Sequence, residues 1–465
     1  FIYDNVAPTS SAATIAVNND GNANNGDVVT ITLDPSETVG TPTCTFTDTS
    51  GAMDDTSVTY ATVSSTDHHT AAVTVADSDA DGAVGFSCTY SDLAGNALAS
   101  AITGTSDSSA VTIDNTHPSI SSVTFADGDY VNAAEDNSAS NLVIVTSGAE
   151  DSQTVTATLN SADYTCSVSS NTCTASITAS GLQALSSGTA YTFSVAVSDA
   201  AGNAATADTS ESFTYDPTAP TMTISSSTVS SGDTSNDATI ALAFASSEST
   251  TDLVQNDITL SGGTLSNFAG SGASYTATFT PSSDGATSIS IAAGKYTDAA
   301  GNDNTVSNTF AWTFDSTALT ITIASSTSGV TSGSTTNDGS IAVTFTTSES
   351  TTGFAADDVV VSGGTLSNFA GSGTDYTATF TPTTDGATTI DVAAAKFTDG
   401  AGNSNTAATQ FAWTYDGTGP TVAITSSASD PASSSTIAVT ITFSESTSNF
   451  VNNDLTLSGA TSSLS

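Results

Sequence analysis

A set of short motifs recurs along this chain at intervals of about one hundred residues, and this repetition limits the possible folds more than any other feature. One motif is an aromatic residue or Ile, then Asp, then a short Thr- and Pro-rich segment. Its Asp residues are 110, 102, 99 and 101 residues apart, and they are Asp4, Asp114, Asp216, Asp315 and Asp416. A second motif, D-x-A-G-N or its DGAGN variant, begins at Asp92, Asp199, Asp298 and Asp399. Such a strict register predicts a head-to-tail array of similar modules.

Within each repeat, apolar residues alternate with Ser and Thr, as in ATIALAFA, YTATFTP and NTFAWTFD. This period of two is typical of half-buried antiparallel strands, and no segment sustains the 3.6-residue period of a helix. Modules of about 100 residues with roughly seven short strands match immunoglobulin-like sandwiches in size. We therefore predict an all-β protein, a tandem array of Ig-like antiparallel β-sandwich domains forming an elongated rod. The glycines of SGGTLSNFAGSG, a segment that starts at Ser261 and again at Ser362, are expected to be turn residues between strands.

The linker Asp residues define the expected domain boundaries. Residues 1–4 would close a preceding repeat, because Phe1-Ile2-Tyr3 resembles the strand before Asp216. At the other end the repeat stops halfway, and half a sandwich cannot bury its sheet. We therefore expect the native chain to continue in both directions. The predicted domains are 5–114, 115–216, 217–315, 316–416 and a partial fifth domain, 417–465.

The charge of the chain excludes several functions. It has 2 basic residues against 47 acidic ones, a formal net charge of −45. Binding to nucleic acid or to anionic lipid needs clusters of Lys and Arg, so neither is expected. No apolar stretch approaches the roughly 20 residues that a membrane-spanning helix requires. A surface this acidic repels itself unless salt screens it or divalent cations bind, and both conditions predict an extracellular location.

The four cysteines are arranged as two plausible pairs. Cys44 and Cys88 stand 44 residues apart in strand-like segments, and Cys166 and Cys173 bracket SVSSNT. Neither pair has the CxxC spacing or the nearby His of a zinc site. We predict two disulfides, which again indicate an oxidising compartment.

The combination of these motifs is similar to that of a known family. The D-x-T-x-P linkers, the Ser-Glu pair after the second strand, the SGGTLSNFxGSGxxYTATFTP core and the D-x-A-G-N turn resemble the bacterial Ig-like domains of large surface adhesins. The resemblance covers essentially the whole chain and is strongest after Asp216. It implies a stalk, often stiffened by calcium, that carries a binding tip. In the segment from Asp315 to Leu319, Leu replaces the linker Pro, which weakens the expectation of a rigid linker there.

Ig topology would bring recurring acidic residues together between neighbouring repeats. Strands B and F both end at the pole where the chain enters, so the Glu after strand B and the D-x-A-G-N turn would flank the linker Asp. The Asp-Gly turns between strands E and F would lie at the opposite pole, beside the next linker. The expected sets are Asp81, Asp114, Glu150 and Asp199; Asp216, Glu248 and Asp298; Asp284, Asp315, Glu349 and Asp399; and Asp385, Asp416 and Glu445.

Converging carboxylates without Lys or Arg repel one another, and a hard cation with oxygen ligands reverses that repulsion. Calcium suits such irregular geometry better than magnesium. We therefore predict calcium as a cofactor at the junctions between domains. The alternative is a turn-forming role, which we favour for the Asp-Gly turns and which stays open for D-x-A-G-N. The predicted calcium ligands are Asp114, Asp199, Asp216, Glu248, Asp298, Asp315, Glu349, Asp399, Asp416 and Glu445.

A local motif from Asp77 to Gly82, DSDADG, matches the first half of an EF-hand loop. Cys88 occupies the twelfth position instead of Glu, and strands are expected on both sides. A solvated turn is therefore favoured over a calcium loop.

The chain has no GxSxG, HExxH or phosphate-binding glycine motif, and its carboxylates repeat in register, which favours structure over catalysis. We predict a non-catalytic extracellular stalk or adhesin shaft whose partners are further copies of the same repeat in the same chain. The alternative is a self-assembling subunit of a cell-surface filament, appendage or surface layer, which would also contact other subunits. Net repulsion opposes that close packing.

Overall fold

The computed structural model describes residues 3–18, 21–63, 67–429 and 436–458. In this part of the chain the structure is nearly all β, with one short α-helix and a few 3-10 helices, and the prediction of tandem Ig-like sandwiches is confirmed. Phe1 and Ile2, expected to end a preceding repeat, lie outside the described residues. The chain divides into two compact units, Phe1–Pro220 with Tyr296–Asn304, and Thr221–Lys295 with Thr305–Ser465. Among the described helices, none has the length and apolar character needed to traverse a bilayer.

The first unit begins with a sandwich formed by the first repeat. The strand of residues 28–35, VVTITLDP, shows why, since its alternate residues Val29, Ile31 and Leu33 are fully buried. One sheet has the order β1-β3-β6-β5, and the other face consists of β2-β9-β7 and β4-β8. Cys44 and Cys88 are directly opposite each other on β4 and β8 and form a disulfide. The strands are β1 (Ser10–Ala16), β2 (Asn22–Ala23), β3 (Val28–Pro35), β4 (Thr43–Thr47), β5 (Thr59–Val63), β6 (His68–Thr74), β7 (Gly82–Ala83), β8 (Gly85–Thr89) and β9 (Thr112–Ile113).

The second repeat has its own core, built around Phe125, Phe193 and Phe213, whose rings lie 4.8 to 5.6 Å apart. Its sheets have the orders β10-β12-β15, β11-β18-β16 and β14-β13-β17. A second disulfide joins Cys166 to Cys173. The elements are β10 (Ser119–Phe125), β11 (Tyr130–Val131), a 3-10 helix (Glu135–Asn137), β12 (Ser140–Ser147), β13 (Thr154–Leu159), β14 (Ala162–Ser167), β15 (Thr172–Ile177), α1 (Ala179–Gln183), β16 (Thr189–Thr192), β17 (Ser194–Val197) and β18 (Ser212–Tyr215).

In the second unit, the strands of the third repeat form the sheets β19-β21-β23 and β20-β25-β24-β22. The segment SGGTLSNFAGSG is only in part the inter-strand turn that we expected, because most of its first copy belongs to the long strand β23, whereas Gly363 and Gly373 of its second copy lie between strands. Gly262, with φ of +79°, makes the turn before β23. The elements are β19 (Met222–Ser226), β20 (Thr234–Ser235), β21 (Ile240–Thr250), a 3-10 helix (Gln255–Asp257), β22 (Ile258–Ser261), β23 (Gly263–Pro281), β24 (Gly285–Ile291) and β25 (Phe310–Phe314).

The fourth repeat shows the Ig order most plainly, with the sheets β26-β28-β31-β30 and β27-β33-β32-β29. These correspond to strands A-B-E-D and A′-G-F-C. The indole of Trp413 on strand G meets the ring of Phe380 edge-on at 4.7 Å in the core. The elements are β26 (Ile321–Ser325), β27 (Thr335–Thr336), β28 (Ile341–Thr347), a 3-10 helix (Ala356–Asp358), β29 (Val359–Ser362), β30 (Gly364–Ser372), β31 (Asp375–Pro382), β32 (Gly386–Val392) and β33 (Phe411–Tyr415).

The described part of the last repeat is a two-stranded antiparallel sheet of β34 (Val422–Ser426) and β35 (Val439–Phe443), followed by a 3-10 helix (Asn452–Asp454). Its apolar residues are largely exposed, Ile424 by 59% and Val439 by 50%. A pair of strands alone buries little apolar surface, so this sheet lacks the covered face that the complete repeats have.

One feature of all four complete repeats positions the linkers. A two-residue strand A′ pairs in parallel with the end of strand G, as in β2 with β9, β11 with β18, β20 with β25 and β27 with β33. Because strand G leads directly into the linker Asp, this pairing fixes where each linker leaves its sandwich.

Candidate functional site

The D-x-A-G-N turns are closed hydrogen-bonded loops between strands F and G. In the turn that begins at Asp399, carboxylate Oδ1 accepts hydrogen bonds from the backbone N–H groups of Ala401, Gly402 and Asn403 at 2.8 to 2.9 Å. The side-chain amide of Asn403 donates to Oδ2 of Asp399 at 3.0 Å. These Asp residues therefore cap their turns, which is the alternative role that turn chemistry allows. Equivalent Asp–Asn pairs close the turns that begin at Asp92, Asp199 and Asp298.

Each turn also binds the linker that leads into its own repeat. The second amide hydrogen of the turn Asn is donated to the backbone carbonyl of the linker Asp. The distances are 3.3 Å from Asn96 to Asp4, 2.7 Å from Asn203 to Asp114, 2.7 Å from Asn302 to Asp216 and 2.9 Å from Asn403 to Asp315. The linker is thus held by the module that it enters.

The preceding module holds the same linker from the other side. The backbone N–H of Asp315 donates to the carbonyl of Ser235 on strand A′ at 3.1 Å. The Asp284 carboxylate, in the turn between strands E and F, accepts from the N–H of Ser316 at 2.8 Å and from the hydroxyl of Thr317 at 2.6 Å. Asp81 and Asp385 make equivalent contacts with the linkers that follow their repeats. We expected these Asp-Gly turns to be plain turns, but their Asp side chains also bind the following linker. The feature of the sequence that indicates this contact is the Ser or Thr that recurs two positions after the linker Asp.

Each of the two units contains a group of three carboxylates at the entrance of a repeat. In the second unit, Asp315, Glu349 and Asp399 have carboxylate oxygens within 4.8 Å of one another. In the first unit, Asp4, Glu37 and Asp92 form an equivalent group. The predicted ligand list did not include this second group, although its members occupy the same three motif positions, so the repeat register itself could have identified it.

The carboxylates of the group around Glu349 perturb one another. Loss of hydration raises the pKa of Glu349, and the negative charges of Asp315, Asp399 and Asp284 raise it further. In contrast, the hydrogen bonds from Thr317 and Ser316 lower the pKa of Asp284. The group opens onto a groove lined by the oxygen-bearing side chains of Thr234, Ser350 and Thr374, as well as by residues 400 and 401.

Of the other predicted sets, Asp216 and Asp298, which both belong to the first unit, have carboxylate oxygens within 4.8 Å of each other. Asp416 and Glu445 do not belong to any group of three carboxylates within the described residues.

The junction between the first two repeats differs from the others. Glu150 Oε2 accepts a hydrogen bond from the N–H of Ala200 at 2.8 Å. Burial raises the pKa of Asp114, with contributions from Asp199, Asp81 and Glu150, so these acids are neighbours. They do not form a compact three-carboxylate group among the described residues.

The EF-hand-like segment is a hydrogen-bonded turn. Both carboxylate oxygens of Asp79 accept backbone N–H groups, from Asp54 and from Ala76, at 2.8 Å each. Asp81 accepts from the linker residues Asn115 and Thr116. Because the carboxylates of this segment form no group of three among the described residues, the segment matches the predicted turn better than a calcium loop.

The compact carboxylate groups have the chemistry of a hard-cation site. All their ligand atoms are oxygens, and the chain supplies only 2 Lys and Arg residues for its 47 acids, so most of the neutralising charge must come from solution. Ca²⁺ accepts six to eight oxygen ligands in flexible geometry, and backbone carbonyls, hydroxyls and water complete such sites. Asp315, Glu349 and Asp399 therefore fit a calcium ion.

The fold and its junctions define a class of protein: tandem Ig-like sandwiches joined by clamped, acidic linkers. The chain belongs to the bacterial Ig-like domain family, whose model matches residues 216–314, 315–415 and 416–465, more than half of the sequence. None of the curated proteins compared with the chain matches it.

Solved structures with the same type of fold include a Ca²⁺-stabilised adhesin with which an Antarctic bacterium binds ice, 20% identical, with a TM-score of 0.32, covering 88% of this chain and 100% of that one. A 1.5-MDa bacterial ice-binding adhesin is also 20% identical, with a TM-score of 0.30 and coverage of 67% and 98%. Invasin, a bacterial integrin-binding protein, is 13% identical, with a TM-score of 0.32 and coverage of 89% and 82%. These likenesses concern the fold alone.

Proposed function

We propose that this chain is part of a non-catalytic, extracellular stalk whose domain junctions are stiffened by calcium. The observation that carries the proposal is the convergence of Asp315, Glu349 and Asp399 from three places in the sequence: the linker, the end of strand B and the D-x-A-G-N turn. A cation bound by all three would tie the linker to the sandwich that follows it. The linker would then lose a hinge motion.

Other features support a structural role. The linkers at Asp114, Asp216 and Asp315 are clamped from both sides by hydrogen bonds, as expected for a spacer that keeps its modules in fixed succession. The turn carboxylates accept several backbone N–H groups, which suits structural caps rather than catalytic acids or bases. Two disulfides agree with an oxidising, extracellular setting.

Small-angle scattering and limited proteolysis of the whole chain, in calcium and in excess chelator, test the proposal. We expect calcium to increase the maximum dimension and to protect the linkers from cleavage. Magnesium at the same concentration is the matched control, because it demands a stricter octahedral geometry and dehydrates reluctantly. A chain that is equally extended and equally protease-resistant in calcium and in chelator would refute calcium stiffening. Addition of monovalent salt separates simple screening from binding.

A further inference from the structure

A hydrogen-bonded contact without charged groups connects the end of strand A′ to a D-x-A-G-N turn. In the second unit, Asn236 follows β20, and its backbone N–H donates to the carbonyl of Ala401 at 3.2 Å. Its side-chain Nδ2 donates to Oδ1 of Asn403, also at 3.2 Å. Asn236 belongs to the third repeat and the turn to the fourth, so this contact joins consecutive modules.

The first unit contains the same arrangement. Asn132 follows β11, and its Nδ2 donates to the carbonyl of Ala300 at 3.0 Å. The next residue, Ala133, donates its backbone N–H to Oδ1 of Asn302 at 3.1 Å. In both cases the acceptors are the carbonyl of the third turn residue and the side-chain oxygen of the fifth. The same two acceptors are therefore bound at both junctions. At Asn236 the backbone N–H binds the carbonyl and the side chain binds the amide oxygen, whereas at Asn132 the side chain binds the carbonyl and the next backbone N–H binds the amide oxygen.

The turn presents these acceptors in a fixed orientation. Asn403 is buried, and its amide hydrogens are already donated to the Asp315 carbonyl and the Asp399 carboxylate, which leaves Oδ1 facing the preceding repeat. Gly402 has φ of +97°, and a Cβ there would lie 3.5 to 3.7 Å from the side chain of Asn236. The Cβ itself would be at ordinary van der Waals distance, but the positive φ would strain any residue with a side chain at this position.

The sequence carries the same signal in every complete repeat, because an Asn directly follows each two-residue A′ strand: Asn24, Asn132, Asn236 and Asn337. We infer that this Asn is a recognition residue that docks the D-x-A-G-N turn of the next repeat and sets the angle between the two modules. The partner of this surface is a further D-x-A-G-N turn. Because no charged group takes part in the contact, it acts without calcium and depends little on salt.

The inference can be tested in the whole chain with spin labels on Val254→Cys and Val360→Cys, two exposed sites in the third and fourth repeats. The four native cysteines are paired in disulfides, so they do not compete for the label. Double electron–electron resonance in chelator then reports the width of the distance distribution between the modules. Asn236→Ala removes one donor and should shift the docking equilibrium about fivefold, the weight of one neutral hydrogen bond. Asn236→Asp should broaden the distribution more, since it places an oxygen against Asn403 Oδ1.

The matched controls are Asn337→Ala and Asn337→Asp, which alter the same position in the fourth repeat. By the same inference Asn337 faces the repeat after the fourth and not the junction between the labels, so these variants should leave the distribution between the labels unchanged. The inference is overturned if Asn236→Asp matches the unmodified chain in chelator, or if Asn337→Asp broadens the distribution equally. Calcium added to the unmodified chain tests the proposed function separately. An unchanged distribution there would refute calcium stiffening and leave the Asn contact standing.

Discussion

Replacing Glu349 with Gln should have opposite effects on the junction in the absence and in the presence of calcium. The substitution removes one of three charges that lie within 4.8 Å of one another and hardly changes the side chain's size. At that separation two unit charges repel by about 0.9 kcal/mol in water and by about 3.5 kcal/mol at an effective dielectric constant of 20. Glu349 is partly exposed to solvent, so the lower figure applies. Of the two pairs that disappear, only the pair with Asp315 joins the linker to the fourth repeat, so the substitution relieves the junction of about 0.9 kcal/mol.

In chelator, this relief should favour the docked junction by about fourfold, because each 1.4 kcal/mol corresponds to a factor of ten. In calcium, the same variant loses a charged ligand, and the affinity of the site should fall by on the order of tenfold or more. The doubly labelled chain described above measures both effects. The variant should show a narrower distance distribution than the unmodified chain in chelator, and it should need more calcium to reach its narrowest distribution.

Glu150→Gln is the matched control. It removes a carboxylate from the junction between the first two repeats, where Glu150 instead accepts a hydrogen bond from the N–H of Ala200. The calcium response at the labels in the third and fourth repeats should not change. If Glu349→Gln and the unmodified chain have the same distribution in chelator and the same calcium midpoint, then these carboxylates neither repel significantly nor bind the ion.

The pH dependence of the docked junction provides an independent check that the charge of Glu349 opposes docking. Loss of hydration and the charges of Asp315 and Asp399 raise the pKa of Glu349 in the docked junction. The contribution of this group to docking is therefore fully present below its ordinary pKa of about 4.3 and is lost as the pH rises through the raised value. In chelator, acidification from neutral pH to the ordinary pKa of a Glu should narrow the distribution, and Glu349→Gln should remove that response. Asp284 has a lowered pKa and stays ionised in this window, so its linker contacts persist.

Three further results are expected. Gly402→Ala should destabilise the turn by about 1–2 kcal/mol and broaden the distance distribution, because φ there is +97°. The control Gly400→Ala, whose new Cβ meets open space, should have little effect. Equal effects of the two substitutions would contradict this account. Asp284→Asn should speed proteolysis of the linker that follows the third repeat, because the amide cannot accept hydrogen bonds from all the donors that the carboxylate binds. Mass spectrometry of the fragments measures this cleavage, and an unchanged rate would contradict the role of Asp284 in holding the linker. Replacing Cys44 and Cys88 with Ala should destabilise only the first repeat, by about 4 kcal/mol for the 44-residue separation of the lost disulfide, with the later repeats as internal controls in calorimetry.

The repeat register and the alternation of residues were sufficient to predict the fold and the placement of its acids by strand. Glu349 follows strand B, Asp399 lies between F and G, and the turn at Asp385 lies between E and F, as Ig topology requires. This success has a physical reason, since alternation reports which face of a strand is buried and the order of strands in a sandwich then fixes the poles.

Individual hydrogen bonds were harder to predict from sequence. The role of Asp284 depends on a linker bending back so that Thr317 meets it, and no local pattern encodes that distance. The glycine-rich segment was misread because most of its glycines lie within strands. Gly263, for example, permits close packing on Phe279, where a Cβ would come within 2.5 Å of the ring. Glycine alone therefore did not distinguish a turn from a close approach of side chain to backbone.

The linker Leu shows a related limit. Leu319 replaces Pro, and we expected a less rigid linker for that reason. In the structure Leu319 is fully buried, its carbonyl accepts from the N–H of Thr406 at 2.8 Å, and Pro118 and Pro220 are also buried at the equivalent position. The position requires an apolar side chain that anchors the linker in the next core, and Leu satisfies this requirement as well as Pro does.

At the junction between the third and fourth repeats, attraction and repulsion are similar in size. Three neutral hydrogen bonds, one from Asn403 to the linker carbonyl and two from Asn236 to the turn, contribute together about 3 kcal/mol. The two carboxylate pairs that Asp315 makes with Glu349 and Asp399 at 4.8 Å oppose them with about 1.7 kcal/mol in water. Because this repulsion offsets more than half of the attraction, the hydrogen bonds alone set the angle of the junction but hold it weakly. Neutralising even part of the carboxylate charge would then change the junction from a weakly held contact to a rigid one. In this way the stiffness of an acidic chain with almost no basic residues can depend on the cations around it.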